Sequence, residues 1–530
     1  MTDTRWRYSR RLMLQRGLVA GGGLLVAGTP LRGFAQATMV SDNMRITAPY
    51  GAQVGDVAGD RAILWSRADR PARMMVELST TESFERSISL PGPLAVEDSD
   101  FTARLDMTGL PAGQRMFYRV RFLDLQDFAT ESEPVLGSFW TPPGMRGHIR
   151  FVWSGDTAGQ GWGINPEWGG MRIYEAMRQK QPHFFIHSGD TIYADGPIEA
   201  EKKLADGTVW KNIVTEPKSK VAETLADFRG NYAYNLMDEN LRRLNAEVAM
   251  YAQWDDHEVT NNWFWQKRMD TDPRYKEKSV AVMAARGAQA FMDYMPIRQH
   301  PLERGRLYTS FRWGPSLEVF RIDMRSYRGP NTDGRETELG QDARILGAEQ
   351  IRWLKGALLA SDATWKVIAA DMPLGVIVWS DGQNKRGSEA VSQGDNGAAM
   401  GRELEIADLL TFIAQNDIRN VVWLTADVHY TAAHYYDPAK ARYGNFKPFW
   451  EFVSGPLNAG TFGPNDLDAT FGPQLMFVKA PPAGQANLPP SAGLQFFGQV
   501  DISGPDEVMT VSLCDLTGAV LFRQELTPEA

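Results

Sequence analysis

Between residues 46 and 142 apolar and polar side chains alternate in short runs broken by turn residues, the period-two pattern of strands buried on one face. Ala62-Ile63-Leu64-Trp65-Ser66, Arg73-Met74-Met75-Val76-Glu77-Leu78 and Met116-Phe117-Tyr118-Arg119-Val120-Arg121-Phe122 are the clearest, and no amphipathic helix of useful length separates them. The pattern predicts a β-sandwich of immunoglobulin or fibronectin type of about a hundred residues, closed by the breaker Pro142-Pro143-Gly144.

Beyond that breaker the rhythm becomes strand and helix in alternation. Ile149 to Trp153 reads as a strand, Met171 to Lys180 as a helix and His183 to Ile186 as the next strand, one βαβ unit. Helices are predicted at Val280 to Tyr294, Gly347 to Ser361 and Arg402 to Gln415, with strands at Ser316 to Ile322, Trp365 to Ala370 and Asn420 to Thr425. The expectation is an α/β (α+β) domain over residues 143–530, preceded by the sandwich over 38–142. Asp195 to Lys220 is charged and aperiodic, a lid or a surface insertion.

The amino terminus carries a different signal. Ser9-Arg10-Arg11-Leu12-Met13-Leu14-Gln15 is a twin-arginine pattern, followed by a Gly-rich apolar stretch and by Ala35-Gln36-Ala37, a cleavage site. Residues 1–37 are therefore read as an export signal handled by the twin-arginine machinery, with a periplasmic or secreted product. The apolar stretch is too short for the roughly 20 residues of a membrane span. The single cysteine, Cys514, cannot form an internal disulfide and falls in an alternating strand-like run, so it is read as a buried thiol. A formal charge of −9 without a Lys/Arg block argues against a nucleic-acid groove.

Candidate chemistry clusters at predicted strand ends. Asp156, Asp190, Asp323, Asp371 and Asp427 each stand at or just past the end of a strand, where open α/β sheets place their ligands. Core strands have no need of carboxylates there, so the pattern points to a cation site along one sheet edge. Hydrolysis of a phosphate ester needs a nucleophile at neutral pH and positive charge over the non-bridging oxygens, and two metals about 3.5 to 4 Å apart supply both. Asp190 is the candidate bridge, with Asp156 on one ion and Asp427 or His429 completing the set; an oxygen-rich set favours Ca, Mg, Mn or oxidised Fe.

The segments His187 to Tyr193 (HSGDTIY), Gln253 to Trp263 (QWDDHEVTNNW), Ile322 to Arg328 (IDMRSYR) and Leu424 to Tyr430 (LTADVHY), with Leu64-Trp65-Ser66-Arg67 upstream, resemble in order the blocks of PhoD-type alkaline phosphatases, of the metallophosphatase superfamily. The resemblance spans nearly the whole chain after the signal and implies the metallophosphatase fold. It implies that Asp190 bridges two metals and that Tyr193 binds Fe(3+) as a phenolate. Asp256 with Asn261 or Asn262 would serve a second ion, Ca(2+) or alternatively Mn(2+), Zn(2+) or Mg(2+), and Asp427 and His429 would complete both spheres. It further implies that His257 faces the substrate, a small phosphate ester attacked by a metal-bound hydroxide, and that Arg325 and Arg328 hold its phosphate. Many relatives carry a cysteine ligand after the first strand; here Asp156 stands in its place, with Ala158 where the wider superfamily has a histidine. Other readings stay open: Tyr193 as a core phenol, His257 as a loop cap, a phospholipase D-like diesterase or phosphotriesterase, or a non-catalytic phosphate- or metal-binding protein.

Overall fold

The computed structural model describes residues 45–127 and 130–529. The twin-arginine pattern and the cleavage site lie outside them. Two large mixed sheets face each other. The first has nine strands, in the order Val520–Leu526, Met509–Asp515, Phe496–Ile502, Ile149–Ser154, Phe184–Ser188, Ala249–Gln253, Ala52–Ala58, Arg61–Arg67 and Thr102–Met107. The second has seven: Thr309–Trp313, Leu317–Arg321, Trp365–Ala369, Val421–Thr425, Phe449–Val453, Thr431–Tyr436 and Pro473–Lys479. The centre of each is parallel.

The inner faces make one core. Phe151, Phe184 and Tyr251 from the first sheet meet Phe311, Trp313, Val319, Val367 and Leu424 from the second, with the Tyr251 ring stacked 3.5 Å from that of Phe311. Helices cover both outer faces. Arg172–Gln179, Leu225–Asn235, Glu239–Glu247 and Val280–Tyr294 pack on the first sheet through residues such as Ile173, Phe228, Leu241 and Met283. Ala348–Ala360 and Glu403–Gln415 pack on the second through Leu354 and Leu410. Every residue of Phe184–Ser188, Ala249–Gln253 and Trp365–Ala369 is buried, which is why these strands read as continuous apolar runs and not as alternations.

The amino-terminal strands are shared between two sheets. Ala72–Ser79, Ser87–Ala95, Arg115–Asp124 and Val135–Trp140 form a four-stranded sheet of their own, while Ala52–Ala58, Arg61–Arg67 and Thr102–Met107 lengthen the nine-stranded one. The joint is Gly55 opposite Met250. A β-carbon at Gly55 would lie 2.5 Å from the carbonyl oxygens of Met250 and Pro296, so only glycine permits this approach.

Cys514 is buried in Met509–Asp515, and burial pushes its thiol up to about 11, which keeps it inert. The Asp195 to Lys220 segment contains a short hairpin, Glu201–Lys203 with Val209–Lys211. Its Lys218 is buried and donates from Nζ to the carbonyl of Tyr193 at 2.8 Å. Among the described residues no helix is long and apolar enough to cross a membrane.

Candidate metal centre

The parallel strands of both sheets deliver their carboxyl ends to one place. Asp156 follows Ile149–Ser154, Asp190 follows Phe184–Ser188, Asp255 and Asp256 follow Ala249–Gln253, Asp371 follows Trp365–Ala369 and Asp427 follows Val421–Thr425. Five candidate site residues take left-handed backbone conformations: Asp156 (φ 71°), Asp190 (φ 52°), Asn262 (φ 55°), Asp427 (φ 64°) and His429 (φ 60°). Non-glycine residues in this region cost about 1–3 kcal/mol each and cluster where side chains must be aimed. Gly189 brings two of the loops together, since a β-carbon there would sit 2.6 Å from Cβ of Asp255.

Two groups of ligand-type atoms result. Asp156, Asp190 and His429 present atoms within 4.8 Å of one another, and so do Asp190, Asp256 and His257. Asp190 belongs to both. Tyr193 joins the first group, its hydroxyl 2.8 Å from Nε2 of His429. Nδ1 of His429 donates to the Gly460 carbonyl, which directs the Nε2 lone pair toward Tyr193 and toward Asp156, 3.5 Å away. Burial lowers the His429 pKa to about 4, so its imidazole is neutral and fit to bind a cation.

The electrostatics call for positive charge. Burial first, then neighbouring carboxylates, push Asp156, Asp190, Asp371 and Asp427 well above the usual carboxylate range. Burial would raise Asp255 too, but the Arg325 guanidinium holds it down. Both carboxylate oxygens of Asp156, Oδ2 of Asp255 and Oδ1 of Asp256 are buried with no hydrogen-bond partner among the described residues. Unpartnered buried carboxylate oxygens are costly, and hard cations held by these donors would satisfy them. The residues therefore fit bound metal cations.

His257 stands at the open side. Its Nδ1 lies 2.7 Å from Oδ1 of Asp195, its Nε2 lies 3.7 Å from Oδ1 of Asp256, and its ring stacks on Tyr193 at 4.2 Å. Burial works against the imidazolium, but Asp195 and Asp256 outweigh it and raise the pKa to about 9. The main-chain N–H of Asn261 donates to Oδ2 of Asp195 at 2.7 Å, and that of Asn262 to Oδ2 of Asp256 at 2.5 Å. Both asparagines thus serve the site through their backbone; the Asn261 side chain is exposed and that of Asn262 half-buried.

Arg325 and Arg328, expected to hold phosphate, are sealed from solvent. Arg325 donates to Asp255 and Glu389 and lies 3.6 Å from Asp371, while Arg328 donates to Glu389 at 2.8 Å. Among the described residues Nη2 of the Arg325 guanidinium has no hydrogen-bond partner; it lies 3.8 Å from Oδ2 of Asp256. Glu258 is structural in this geometry, accepting from the main chain of Thr191 (2.6 Å) and Asp255 (2.8 Å), so that it ties two ligand loops together. Sequence reasoning missed Asp195 and Glu389. Asp195 lies two residues past Tyr193 at the start of an apparently solvated stretch, and Glu389 lies in a segment with no periodicity at all.

A family model for PhoD-like phosphatases matches residues 151–513, and a second, for the amino-terminal domain of the same family, matches residues 34–143. The chain belongs to the PhoD-like phosphatase family. It is 25% identical over 445 residues to alkaline phosphatase D of Bacillus subtilis (strain 168), an alignment covering 80% of this chain and 71% of the relative. A solved structure of PhoD superposes with a TM-score of 0.67 at 19% identity, covering 93% of this chain and 94% of that one. The purple acid phosphatase PPD1 from yellow lupin (Lupinus luteus) seeds superposes at 0.54 with 12% identity, covering 91% and 74%. At these identities the structural matches bear on fold, and the fold is that of a metallophosphatase with an amino-terminal sheet domain.

Proposed function

We propose that this chain is an exported, metal-dependent phosphoesterase that hydrolyses phosphomonoesters and phosphodiesters. The observation that carries the reading is the pair of groups of ligand-type atoms sharing Asp190, the second of which includes His257 at the wall of an open cleft. Asp156, Asp190, Tyr193 and His429 would hold one ion, which we assign as Fe(3+). Asp190, Asp256 and Asp427 would hold the other, Ca(2+) by preference, with Mn(2+), Zn(2+) or Mg(2+) as alternatives. When bound, the ions supply positive charge over the phosphoryl oxygens and acidify water in the site.

The remaining steps belong to the chain. Asp195 fixes the His257 ring through Nδ1, leaving the Nε2 proton free to go to a leaving oxygen. Asp195, beside Nδ1, favours the protonated ring that carries this proton. Arg325 counterbalances Asp255 and Glu389 and holds these buried acids in place beneath the cleft. Export rests on the twin-arginine pattern of residues 1–37 and on a fold that needs no disulfide. The test is turnover of mono- and diester substrates by protein loaded with Fe and Ca, Mn, Zn or Mg; tight phosphate binding with no ester hydrolysis under any loading would make the chain a binding protein.

Two expected outcomes follow from individual side chains. If Tyr193 binds Fe(3+) as a phenolate, the iron-loaded protein is coloured by a charge-transfer band and Tyr193→Phe abolishes it; a colourless, iron-free and fully active wild type would remove the phenolate while leaving the two-ion site. Arg325→Ala should destabilise the metal-free protein by about 3–5 kcal/mol, because it leaves buried carboxylates without their counter-charge. Denaturant melts read this directly, and a variant melting with the wild type would show that Arg325 does not balance those acids.

A further inference from the structure

The cleft over Tyr193 and His257 has a volume of about 580 Å³ and is also walled by Gln160, Glu199, Lys202 and Arg274. One phosphoryl group does not fill it, so part of this space faces whatever the phosphate is attached to. Two cations reach it from the walls. Arg274 is committed, with Asp272 at 2.7 Å and the Asp195 carbonyl at 3.4 Å. Lys202 is not: among the described residues no carboxylate comes within ion-pair distance of it. Its ammonium donates to the Gln160 carbonyl at 3.1 Å and lies 3.9 Å from the ring centre of Trp162.

The seat of Lys202 is built. Trp162 is buried and held by its indole N–H to Oδ1 of Asn487 at 2.7 Å. Gly161, at φ 88°, makes room for the amine, since a β-carbon there would lie 2.7 Å from Nζ. The half-buried stem and the aromatic platform leave the ammonium poorly hydrated at the rim. Burial lowers the Lys202 pKa, and Glu199, an exposed wall residue, is the acid that works against this.

We propose that Lys202 selects esters whose leaving group carries a second phosphate, pairing with that phosphate while the scissile one lies at the carboxylate cluster. The inference rests on the phosphoesterase reading. In the hydrolysis a water oxygen forms the new bond to phosphorus, the bond from phosphorus to the ester oxygen breaks, and that oxygen leaves with the electron pair and takes up a proton. The second phosphate is untouched throughout, so its contact with Lys202 acts chiefly on binding.

The experiment compares fructose 1-phosphate with fructose 1,6-bisphosphate, in which the same C1 ester lacks or carries a second phosphate, using metal-loaded full-length protein. For the bisphosphate, Lys202→Ala should lower kcat/KM about ten- to a hundred-fold, mostly through KM, as loss of a charge-assisted contact does. For the monophosphate the loss should be only a few-fold, and Lys202→Arg should recover much of the bisphosphate preference. Equal losses on both substrates, or no loss on either, would overturn the assignment while leaving the phosphoesterase reading intact. A wild type that hydrolyses fructose 1-phosphate but rejects the bisphosphate would overturn it as well. Turnover of neither, while other mono- or diesters are still hydrolysed, would overturn this assignment alone; hydrolysis of no ester at all would bring down the phosphoesterase reading, and this inference with it.

Discussion

Asp190→Asn is expected to give a protein that is more stable than the wild type when both are free of metal, yet gains almost nothing from added metal and does not turn over. The sign follows from linkage. Burial, then Asp256 and Asp255, raise the Asp190 pKa above its unfolded value. The associated stability is therefore present below the unfolded pKa and is lost as pH rises toward and through the folded one, so at pH 8 the buried carboxyl costs stability that a neutral amide would not. Asparagine removes the charge and keeps an oxygen for the main-chain N–H of His257, which now donates to Oδ1 at 3.1 Å. A ligand that binds only the folded state at a hundred times its Kd adds about 2.7 kcal/mol. That metal-dependent increment should be present in the wild type and missing in the variant. Thermal melts at pH 8, with and without metal, check both halves. A variant that is less stable without metal, or one still stabilised by metal to the wild-type extent, would show that Asp190 is not the shared ligand.

His257→Ala should leave metal content intact and lower kcat by roughly 10²- to 10⁴-fold on esters with poor leaving groups, the usual worth of a positioned proton donor. With a nitrophenolate leaving group, which departs without a proton, the loss should be much smaller. Asp195→Asn should fall in between, because Asp195 holds the ring and sustains the imidazolium but does not reach the substrate's leaving oxygen. Steady-state kinetics on a series of leaving groups, alongside metal analysis of the same samples, separates these effects. Equal losses across the series would assign His257 to phosphate positioning and not to proton transfer, and no loss would remove it from the site.

Much of the candidate site was legible because its acidic residues sit where buried parallel strands stop. Runs such as Phe184-Phe185-Ile186 announce themselves through apolar continuity, and the Gly189-Asp190 step marks the turn that aims the carboxylate. The four motif blocks add order along the chain. The partners of those residues were harder to see. Asp195 reads as the first residue of a solvated loop, and its role exists only through a 2.7 Å contact with His257, distant in sequence. The sequence reading assigned Arg325 to phosphate because a guanidinium suits that ligand, but it could not count the acids that fold in around it: Asp255, Asp371 and Glu389 come from separate segments. The helix Leu225–Asn235 was missed for a related reason. It buries Asp227, Asn231 and Asn235, the last donating to the Thr191 carbonyl at 2.7 Å, so its apolar period is blurred by polar groups satisfied across the interface. The sharing of the amino-terminal strands with the large sheet depends on a single glycine approach at Gly55, which strand periodicity does not register.

The most direct test is to follow metal stoichiometry and phosphomonoester turnover on one preparation through chelation and re-addition. The account predicts two ions per chain in the active protein, loss of turnover as they are removed, and its return as both are restored. Full turnover in protein shown to be free of metal would contradict it.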